Sequence, residues 1–222
     1  MHEDVISIDE LLTPQSFERG NYCAHLYAPF SSKLNRRVHL YSHNMYDLWV
    51  LLETNQSIKK FNEKVLSFPI NFKDGHATNA SPRAVSQDID GLITIHTLHT
   101  KDGDGELDWD GWCGQYGYQY QNWSKDSLKS NSIELANLKH LLRFSSVAGL
   151  TIDYSMENQI LSELENFRKI TFYKLVQKFP FFDSEDINAC IASLIIRKKI
   201  FSDIRLSPFS MITELSVHHE LS

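Results

Sequence analysis

The clearest pattern in the chain is an apolar stripe of helical spacing in its first half. Met45, Leu48, Trp49 and Leu52 stand at positions i, i+3, i+4 and i+7, the spacing that places side chains on one face of an α-helix. Ser42 precedes the stripe as the expected N-cap, because its hydroxyl can accept a hydrogen bond from a free N–H of the first turn. We therefore predict a helix that begins directly after Ser42.

Runs rich in β-branched and aromatic residues lie on both sides of this helix. They predict short strands at 37–41, 65–72 and 92–98, with a turn at 73–76. The stretch "ASPRAVSQDIDGLITIHTLHT" predicts a hairpin in which Pro82 opens a strand, Asp90 and Gly91 form the turn, and the next strand ends at Leu98. The glycine-rich segment 101–132 is predicted to consist mainly of turns, and "ELANLKHLLRF" predicts a short helix into the second half.

The second half shows helical spacing and then strand-like runs. The three predicted helices are one capped by Ser155, one over 171–179 ended by Pro180, and one capped by Asp183 or Ser184. Two strand-like runs follow, "KIFSDI" and "MITELSV", joined by "RLSPFS". Three helices followed by a β-hairpin describe a winged helix, whose third helix is the one that can enter a major groove.

These patterns predict three parts of the chain. They are an N-terminal segment, 1–32, a domain that mixes helix and strand, 33–132, and a mainly α-helical domain, 133–222. The sequence shows neither an internal repeat nor a low-complexity tract.

Composition is that of a globular chain with a modest negative charge. The 222 residues are 42% hydrophobic and 23% charged, and the chain is long enough to bury a core. No membrane span is expected, and the acidic start "MHEDVISIDELL" lacks the pattern of a secretory signal. The three separated cysteines, Cys23, Cys113 and Cys190, predict free thiols in a reducing cytoplasm. The net charge of −6 argues against a stand-alone, high-affinity DNA binder but allows local DNA contact within a complex.

Two groups of residues have the chemistry of metal ligands. The segment "KDGDGELDWDG" resembles a calcium loop because its acids stand at alternate positions, namely Asp102, Asp104, Glu106, Asp108 and Asp110. The EF-hand pattern needs a glutamate where Gly117 stands, so a solvated acidic turn is favoured. His96 and His99 with Cys113 form the other group, but no partner motif accompanies them, and ordinary strand and loop histidines are favoured.

A basic run, Arg197, Lys198 and Lys199, ends the third helix of the second half. One interpretation is a favourable charge at a helix C-terminus, and the other is contact with DNA phosphates. Glu185 and Asp186 at the start of the same helix would repel a phosphate, and both interpretations stay open.

A resemblance to a known family rests on the order of segments from about Lys33 to Val217. In "RRVHLYSHNMYDLWVLLETNQSIKKFNEKV" the positions that fit the family pattern are Ser42, Asp47, Leu51, Leu52, Ile58 and Phe61. The phrases "NLKHLLRF" and "LIIRKKIFSDIRLSPFSMITELS" resemble the family's link and its last helix and wing. On these segments the chain resembles TnsA, the endonuclease subunit of heteromeric cut-and-paste transposases.

The resemblance implies an α/β restriction-endonuclease-like N-terminal domain and a mainly α winged-helix C-terminal domain. In such nucleases a helix glutamate, an aspartate after proline, and an acid or glutamine two residues before a lysine share a Mg²⁺ site. The matching positions hold Met45, Arg83, His96 and Leu98. None of these supplies the oxygen ligands that magnesium requires. The resemblance therefore implies a nuclease frame without catalytic residues, metal ligands or cofactor.

Such a frame implies a non-catalytic subunit of a DNA transposition complex, acting through protein docking and auxiliary DNA contact. By resemblance its partners are a DDE-type transposase, an AAA+ ATPase regulator, an active TnsA-like paralogue and transposon-end DNA. The candidate DNA contacts are Arg83, Arg205 and the basic run 197–199. For Arg83 the other interpretation is simple exposure to solvent, or an ion pair with Asp88 or Asp90.

Two other functions stay open. The first is an active metal-dependent endonuclease with relocated catalytic groups, drawn from Glu53, Glu63, Asp88, Asp90 and Lys101. The second is a winged-helix regulator that binds an operator by itself. The negative net charge and the acidic start of the third helix count against the regulator.

Overall fold

The computed structural model describes residues 6–16, 25–99, 107–147 and 154–217. The chain divides into two compact units, Met1–Ser130 and Asn131–Ser222, and both contain helices and β-strands. The mixed α/β content expected from the sequence is therefore present. In these described ranges, no helix combines the length and the apolar character needed to cross a lipid bilayer.

The first unit opens with a short helix and a small hairpin. Helix α1, Ile8–Leu12, begins at a capping box in which Ser7 and Glu10 each accept a hydrogen bond from the other's backbone N–H. The hairpin strands are β1 (Phe30–Ser31) and β2 (Arg36–Arg37). The strand predicted at 37–41 is thus shorter than expected, and Leu40 makes only an isolated bridge.

Helix α2, His43–Thr54, begins as the sequence predicts. The Ser42 side chain accepts a hydrogen bond from the Met45 N–H at 3.1 Å, which closes the first turn. The apolar stripe is buried at Leu48, Trp49 and Leu52.

A four-stranded sheet forms the centre of the first unit. The strands that follow α2 are β3 (Ile58–Asn62), β4 (Phe68–Asn71), β5 (Ala77–Ala80), β6 (Ala84–Asp88), β7 (Ile93–Leu98) and β8 (Gln119–Trp123). The sheet order is β3-β6-β7-β8, with β8 parallel to β7 and the other neighbours antiparallel. Strands β4 and β5 form a separate hairpin. Both predicted turns are present, and Gly75 and Gly91 adopt the positive φ that they require.

The segment after β7 differs from the prediction of a turn-rich stretch. Its described part folds into α3, Trp109–Tyr116, strand β8, and a short helix α4, Lys125–Leu128. Gly117 ends α3 with a φ of 68°, in the left-handed region that favours glycine. Trp112 stacks on Phe68 with ring centroids 4.5 Å apart. Trp109 and Trp112 lie in the segment that was predicted to consist of turns. They are part of the hydrophobic core that packs against the sheet.

The second unit is mainly helical and has one small sheet. Its elements are α5 (Ser132–Val147), α6 (Tyr154–Glu165), β9 (Ile170–Thr171), α7 (Phe172–Val176), α8 (Ser184–Ile196), β10 (Ile200–Ser202) and β11 (Glu214–Val217). The three strands are antiparallel in the order β10-β11-β9. Thr171 caps α7 and Asp183 caps α8, both by accepting a backbone N–H.

The long connection between β10 and β11 is held by a buried side chain. Asn137 of α5 donates hydrogen bonds to the carbonyls of Ile204 and Ser207, at 2.8 and 2.7 Å. Its amide oxygen accepts the N–H of Phe209 at 2.8 Å. Three bonds from one buried amide fix a loop that the sequence marked only as a turn.

Candidate functional site

The hairpin of β6 and β7 brings together two of the positions that the resemblance assigned to the metal site. Ala84 lies opposite His96 in the register of the two strands. The Arg83 N–H donates to the His96 carbonyl at 2.8 Å. The residue after Pro82 and the residue near the end of the second strand are therefore cross-strand neighbours.

His96 lies in a hydrogen-bonded network that crosses three strands. Its Nε2 is 2.8 Å from the Ser86 hydroxyl on β6, and its Nδ1 is 3.1 Å from the Trp123 Nε1 on β8. An indole N–H can only donate, so Nδ1 must be the unprotonated acceptor. The proton of the neutral ring therefore lies on Nε2 and is donated to Ser86. Both ring nitrogens are used within the protein.

The surroundings of His96 keep this ring neutral. The residue is 4% exposed, and burial lowers its pKa to about 4. A second proton on the ring would point at the Trp123 N–H, where no acceptor is available. His96 is thus a satisfied core residue, and metal binding or proton transfer would first have to break one of its two hydrogen bonds.

The other matching positions do not supply ligands either. Leu98 is 6% exposed in the core, while Arg83 is exposed. A shift of the alignment by one residue would place Thr97 at the site, but its hydroxyl is bonded to Tyr120 and Asn122 at 2.9 and 3.1 Å. The side chains present here do not fit Mg²⁺, which prefers carboxylates and water.

Met45, which stands where the resemblance expects the helix glutamate, is only partly buried. The residue is half-buried, whereas Leu48, Trp49 and Leu52 on the same stripe are buried. Met45 is the third residue after the Ser42 cap, and its N–H is the one that the serine side chain accepts. Its place in the first turn, at the end of the stripe, explains why it is only partly covered.

We therefore expect Met45→Glu to leave the melting temperature unchanged or to raise it slightly. A glutamate at this position can bond back to the Ser42 N–H as a capping box, and it also complements the helix dipole, together worth up to about 1 kcal/mol. Thermal unfolding followed by tryptophan fluorescence checks this result. Met45→Lys is the matched control and should be less stable than Met45→Glu. A loss of more than about 2 kcal/mol for the glutamate variant would show that Met45 is buried instead.

Glu53, one of the relocated acids considered above, is part of a structural cluster. Its carboxylate accepts hydrogen bonds from the Ser31 hydroxyl at 2.6 Å and from the N–H groups of Ser32 and Lys33 at 2.8 and 3.2 Å. Burial raises the pKa of Glu53, against the effect of these bonds. Burial also lowers the pKa of the Lys33 ammonium to about 8, and this group donates to the carbonyls of Leu52 and, by a shorter bond, Asn55. The cluster fastens the β1–β2 turn to the end of α2.

The remaining acids near the sheet also have structural partners or lie in solvent. Glu63 forms a two-bond ion pair with Arg36, at 2.7 and 2.6 Å. Asp88 accepts the N–H groups of Asp90 and Leu92 at 3.0 and 2.8 Å, which shapes the β6–β7 turn. Asp90 is exposed. Lys101, the proposed catalytic lysine, lies outside the described residues.

The two candidate metal sites are not assembled in the part of the chain that the structure describes. Within 6–16, 25–99, 107–147 and 154–217, no three His, Cys, Asp or Glu residues are placed to hold an ion. Asp108 caps α3, His99 is exposed, and Cys113 is buried with a pKa that burial and the Asp110 carboxylate raise to about 12. Cys190 is buried as well. The calcium-loop residues Asp102, Asp104 and Glu106, together with Cys23, lie outside these ranges.

Two of the three cations in the basic run after α8 pair with one buried acid. Glu157 of α6 is 2% exposed, and it pairs with Arg197 and, at 3.6 Å, with Lys199. Lys198 between them is exposed, has a φ of 57°, and forms no ion pair with Glu157. Two of the three proposed phosphate contacts are therefore engaged in holding α6 to the end of α8.

Arg205, the other candidate in this unit, also has an acidic partner. Its Nε donates to the Glu134 carboxylate at 3.1 Å. Arg83 differs, because no ion pair to it is found among the described residues and neither Asp88 nor Asp90 contacts it. Of the two interpretations left open for Arg83, exposure to solvent is the one that the structure supports.

Several of these partners could not be identified from the sequence. Ser86 and Trp123 lie on two different strands, and the residues of those strands give no sign of a contact with His96. Glu157 is one of several acids in its helix. The only local indication was the helical spacing that puts Glu157 beside Met156 and Ile160 on the buried side of α6. The contacts of His96 and Glu157 join residues that are 10 to 42 positions apart.

Comparison with known proteins adds no identification. No protein-family model matches the chain, and no curated protein is similar to it at a significant level.

Proposed function

We propose that this chain is a non-catalytic, TnsA-like subunit of a DNA transposition complex that acts through protein docking and auxiliary DNA contact. The observation that carries the proposal is the His96 network. At the place where the resemblance expects metal ligands, a neutral histidine is bonded to Ser86 and Trp123 in the core of the sheet. A protein that keeps the nuclease fold but has a buried histidine in place of a metal ligand is expected to act through its surfaces, by binding other molecules.

The arrangement of strands supports the restriction-endonuclease-like frame. A capped helix is followed by a strand that begins just after Pro82, a turn at Asp90 and Gly91, and a returning strand. This is the order on which the resemblance places the nuclease site. The cross-strand contact of Arg83 with His96 supports the same alignment.

The second unit supports the winged-helix part of the proposal. Three helices, α6, α7 and α8, precede the antiparallel pair β10 and β11, which is the expected order. The start of α8 carries exposed Glu185 and Asp186, so this end of the proposed recognition helix repels phosphates. Because Arg197, Lys199 and Arg205 are paired with acids, DNA contact by this unit is secondary to protein docking.

The structural contacts of the acids argue against a relocated nuclease site. Glu53 and Glu63 are each committed to bonds that hold the β1–β2 hairpin, and Asp88 shapes a turn. A catalytic carboxylate has to be available to a metal ion and to water. For that reason the non-catalytic subunit is preferred to an active endonuclease.

The test of lost catalysis is a plasmid-nicking assay with Mg²⁺ and with Mn²⁺. We expect the purified chain to produce no more nicked plasmid than buffer does, both alone and with the transposase and ATPase encoded beside its gene. Asp88→Asn and Asp90→Asn are the control variants for any residual cutting. Metal-dependent nicking that either substitution abolishes would establish the active-nuclease alternative.

The test of the docking role is reconstitution with the same two partners. The neighbouring genes are expected to encode a DDE-type transposase and an AAA+ ATPase, and the full chain is expected to co-elute with at least one of the purified proteins. Binding of the chain alone to a specific operator, without any such partner, would instead identify a winged-helix regulator.

A further inference from the structure

The turn between α7 and α8 presents an aromatic ring almost entirely to solvent. Phe181 is 98% exposed, whereas the neighbouring Phe182 is 37% exposed and Phe179 is 9% exposed in the core. Phe179 and Phe182 pack edge to face with ring centroids 6.2 Å apart. Phe181 is therefore the residue of this trio that contributes no packing to the unit.

The backbone holds this ring in a fixed place. The Phe182 N–H donates to the Phe179 carbonyl at 3.2 Å, and the Phe179 N–H donates to the Val176 carbonyl at 3.1 Å. On the other side, Asp183 caps α8 by accepting the Glu185 N–H at 2.8 Å. A ring on such a bonded turn loses little backbone freedom when a partner covers it, as is usual for an interface anchor.

Acids without cationic partners follow the ring in sequence. Asp183, Glu185 and Asp186 follow it directly and form no ion pair with the described residues. Four other acids of the same unit form ion pairs, namely Glu134, Glu157, Glu163 and Glu214. Lys178, the cation nearest before the turn in sequence, is bound to Glu163. The three exposed carboxylates are therefore available for ion pairs with a cationic partner.

We propose that Phe181 and the acids Asp183, Glu185 and Asp186 form a docking surface for a basic protein segment. We name these four residues the aromatic–acidic turn. The partner would place lysine or arginine side chains around an apolar row or pocket that receives the Phe181 ring. DNA is excluded as the occupant by its phosphates. The inference rests on the proposed docking function of the second unit. It adds where on this unit the partner binds and what chemical character the partner has.

The probe is a labelled helical peptide of about five turns with a row of leucines flanked by lysines, measured by fluorescence anisotropy in about 150 mM salt. A peptide with glutamates in place of the lysines is the charge control. We expect the full chain to bind the basic peptide at least about tenfold more tightly than the acidic one. Phe181→Ala, and separately the double variant Glu185→Lys with Asp186→Lys, should each weaken that binding about tenfold or more.

Two variants away from the turn provide matched controls. Ile212→Ala removes an apolar side chain that is 81% exposed in the same unit, and Glu165→Lys reverses an exposed acid. Both should bind like the unaltered chain. Asp183 is left unchanged because it caps α8, and far-UV circular dichroism verifies that the variants stay folded.

Three results would overturn the inference: equal binding of the two peptides, unaltered binding by both turn variants, or binding of a DNA duplex that depends on Phe181. The peptides contain no transposition protein. A negative result in the peptide assay therefore does not contradict a positive reconstitution with the transposase or ATPase. A negative reconstitution likewise does not contradict peptide binding at the turn.

Discussion

A fall in pH from about 7 to about 4 is expected to cost the chain about 3 kcal/mol of unfolding free energy through His96 alone. The folded-state pKa of about 4 lies below the ordinary value of 6.5 that applies to the unfolded chain. The unfolded state therefore takes up the proton first. The contribution to stability is complete above about pH 6.5 and is lost progressively as the pH falls toward 4.

The measurement is denaturant unfolding at several pH values, followed by tryptophan fluorescence. All four tryptophans belong to the first unit, and Trp123 contacts His96 directly. Carboxylates titrate in the same range, so the comparison is with His96→Gln, which removes the imidazole but keeps polar atoms. We expect His96→Gln to be clearly less stable at pH 7 and to approach the unaltered chain near pH 4. Parallel stability curves for the two proteins would contradict the burial of a neutral His96.

The tautomer of His96 offers an independent check. Nitrogen chemical shifts at neutral pH should show a protonated Nε2 and an unprotonated Nδ1, because the Trp123 N–H donates to Nδ1. Substitution of Trp123 by phenylalanine should free Nδ1 and raise the pKa of His96. A ring protonated on Nδ1 would be incompatible with the contacts described for it.

Local rules account for the parts of the fold that the sequence predicted well. Ser42 and Asp183 each cap a helix as predicted, because a short polar side chain beside free N–H groups is a property of neighbouring residues. The turns at Gly75 and Gly91 follow equally from the positive φ that glycine permits. Helix caps and glycine turns involve a few consecutive residues, so they can be predicted from the sequence alone.

Features that depend on distant contacts were not predictable in the same way. Gly111 and Gly114 lower the helical propensity of 109–116, but Trp109 and Trp112 gain a buried contact with Phe68 and the helix forms. Strand β8 pairs in parallel with β7 across the helix between them, and nothing in its own residues marks that partner. The resemblance assigned His96 to a metal site, whereas the Ser86 and Trp123 bonds that hold its ring come from two other strands.

The same limit explains the basic run after α8. Arg197, Lys198 and Lys199 are equivalent in sequence, yet the structure separates them by their relation to Glu157. Burial of that carboxylate would be costly without cations beside it. Lys198, the middle residue, has a left-handed backbone and is exposed. Phosphate contact is thus open to Lys198 more than to its neighbours.

This separation predicts a large difference between variants of the run. The double variant Arg197→Ala with Lys199→Ala removes both partners of Glu157 and should lower the free energy of unfolding by about 3 kcal/mol. This value is at the low end for a broken buried ion pair, because both cations are partly exposed. Lys198→Ala should change stability by less than about 0.5 kcal/mol. Far-UV circular dichroism during denaturant unfolding measures the effect, since the second unit is mainly helical and contains no tryptophan.

A third substitution distinguishes an unpaired buried charge from a simple loss of packing. Adding Glu157→Met to the double variant removes the carboxylate that was left without cations while keeping a side chain of similar size. Stability should then recover by most of the amount lost, because an apolar residue replaces the whole ion cluster rather than one side of it. If the triple variant is as unstable as the double variant, the aliphatic parts of Arg197 and Lys199, and not their charges, hold α6 against the end of α8.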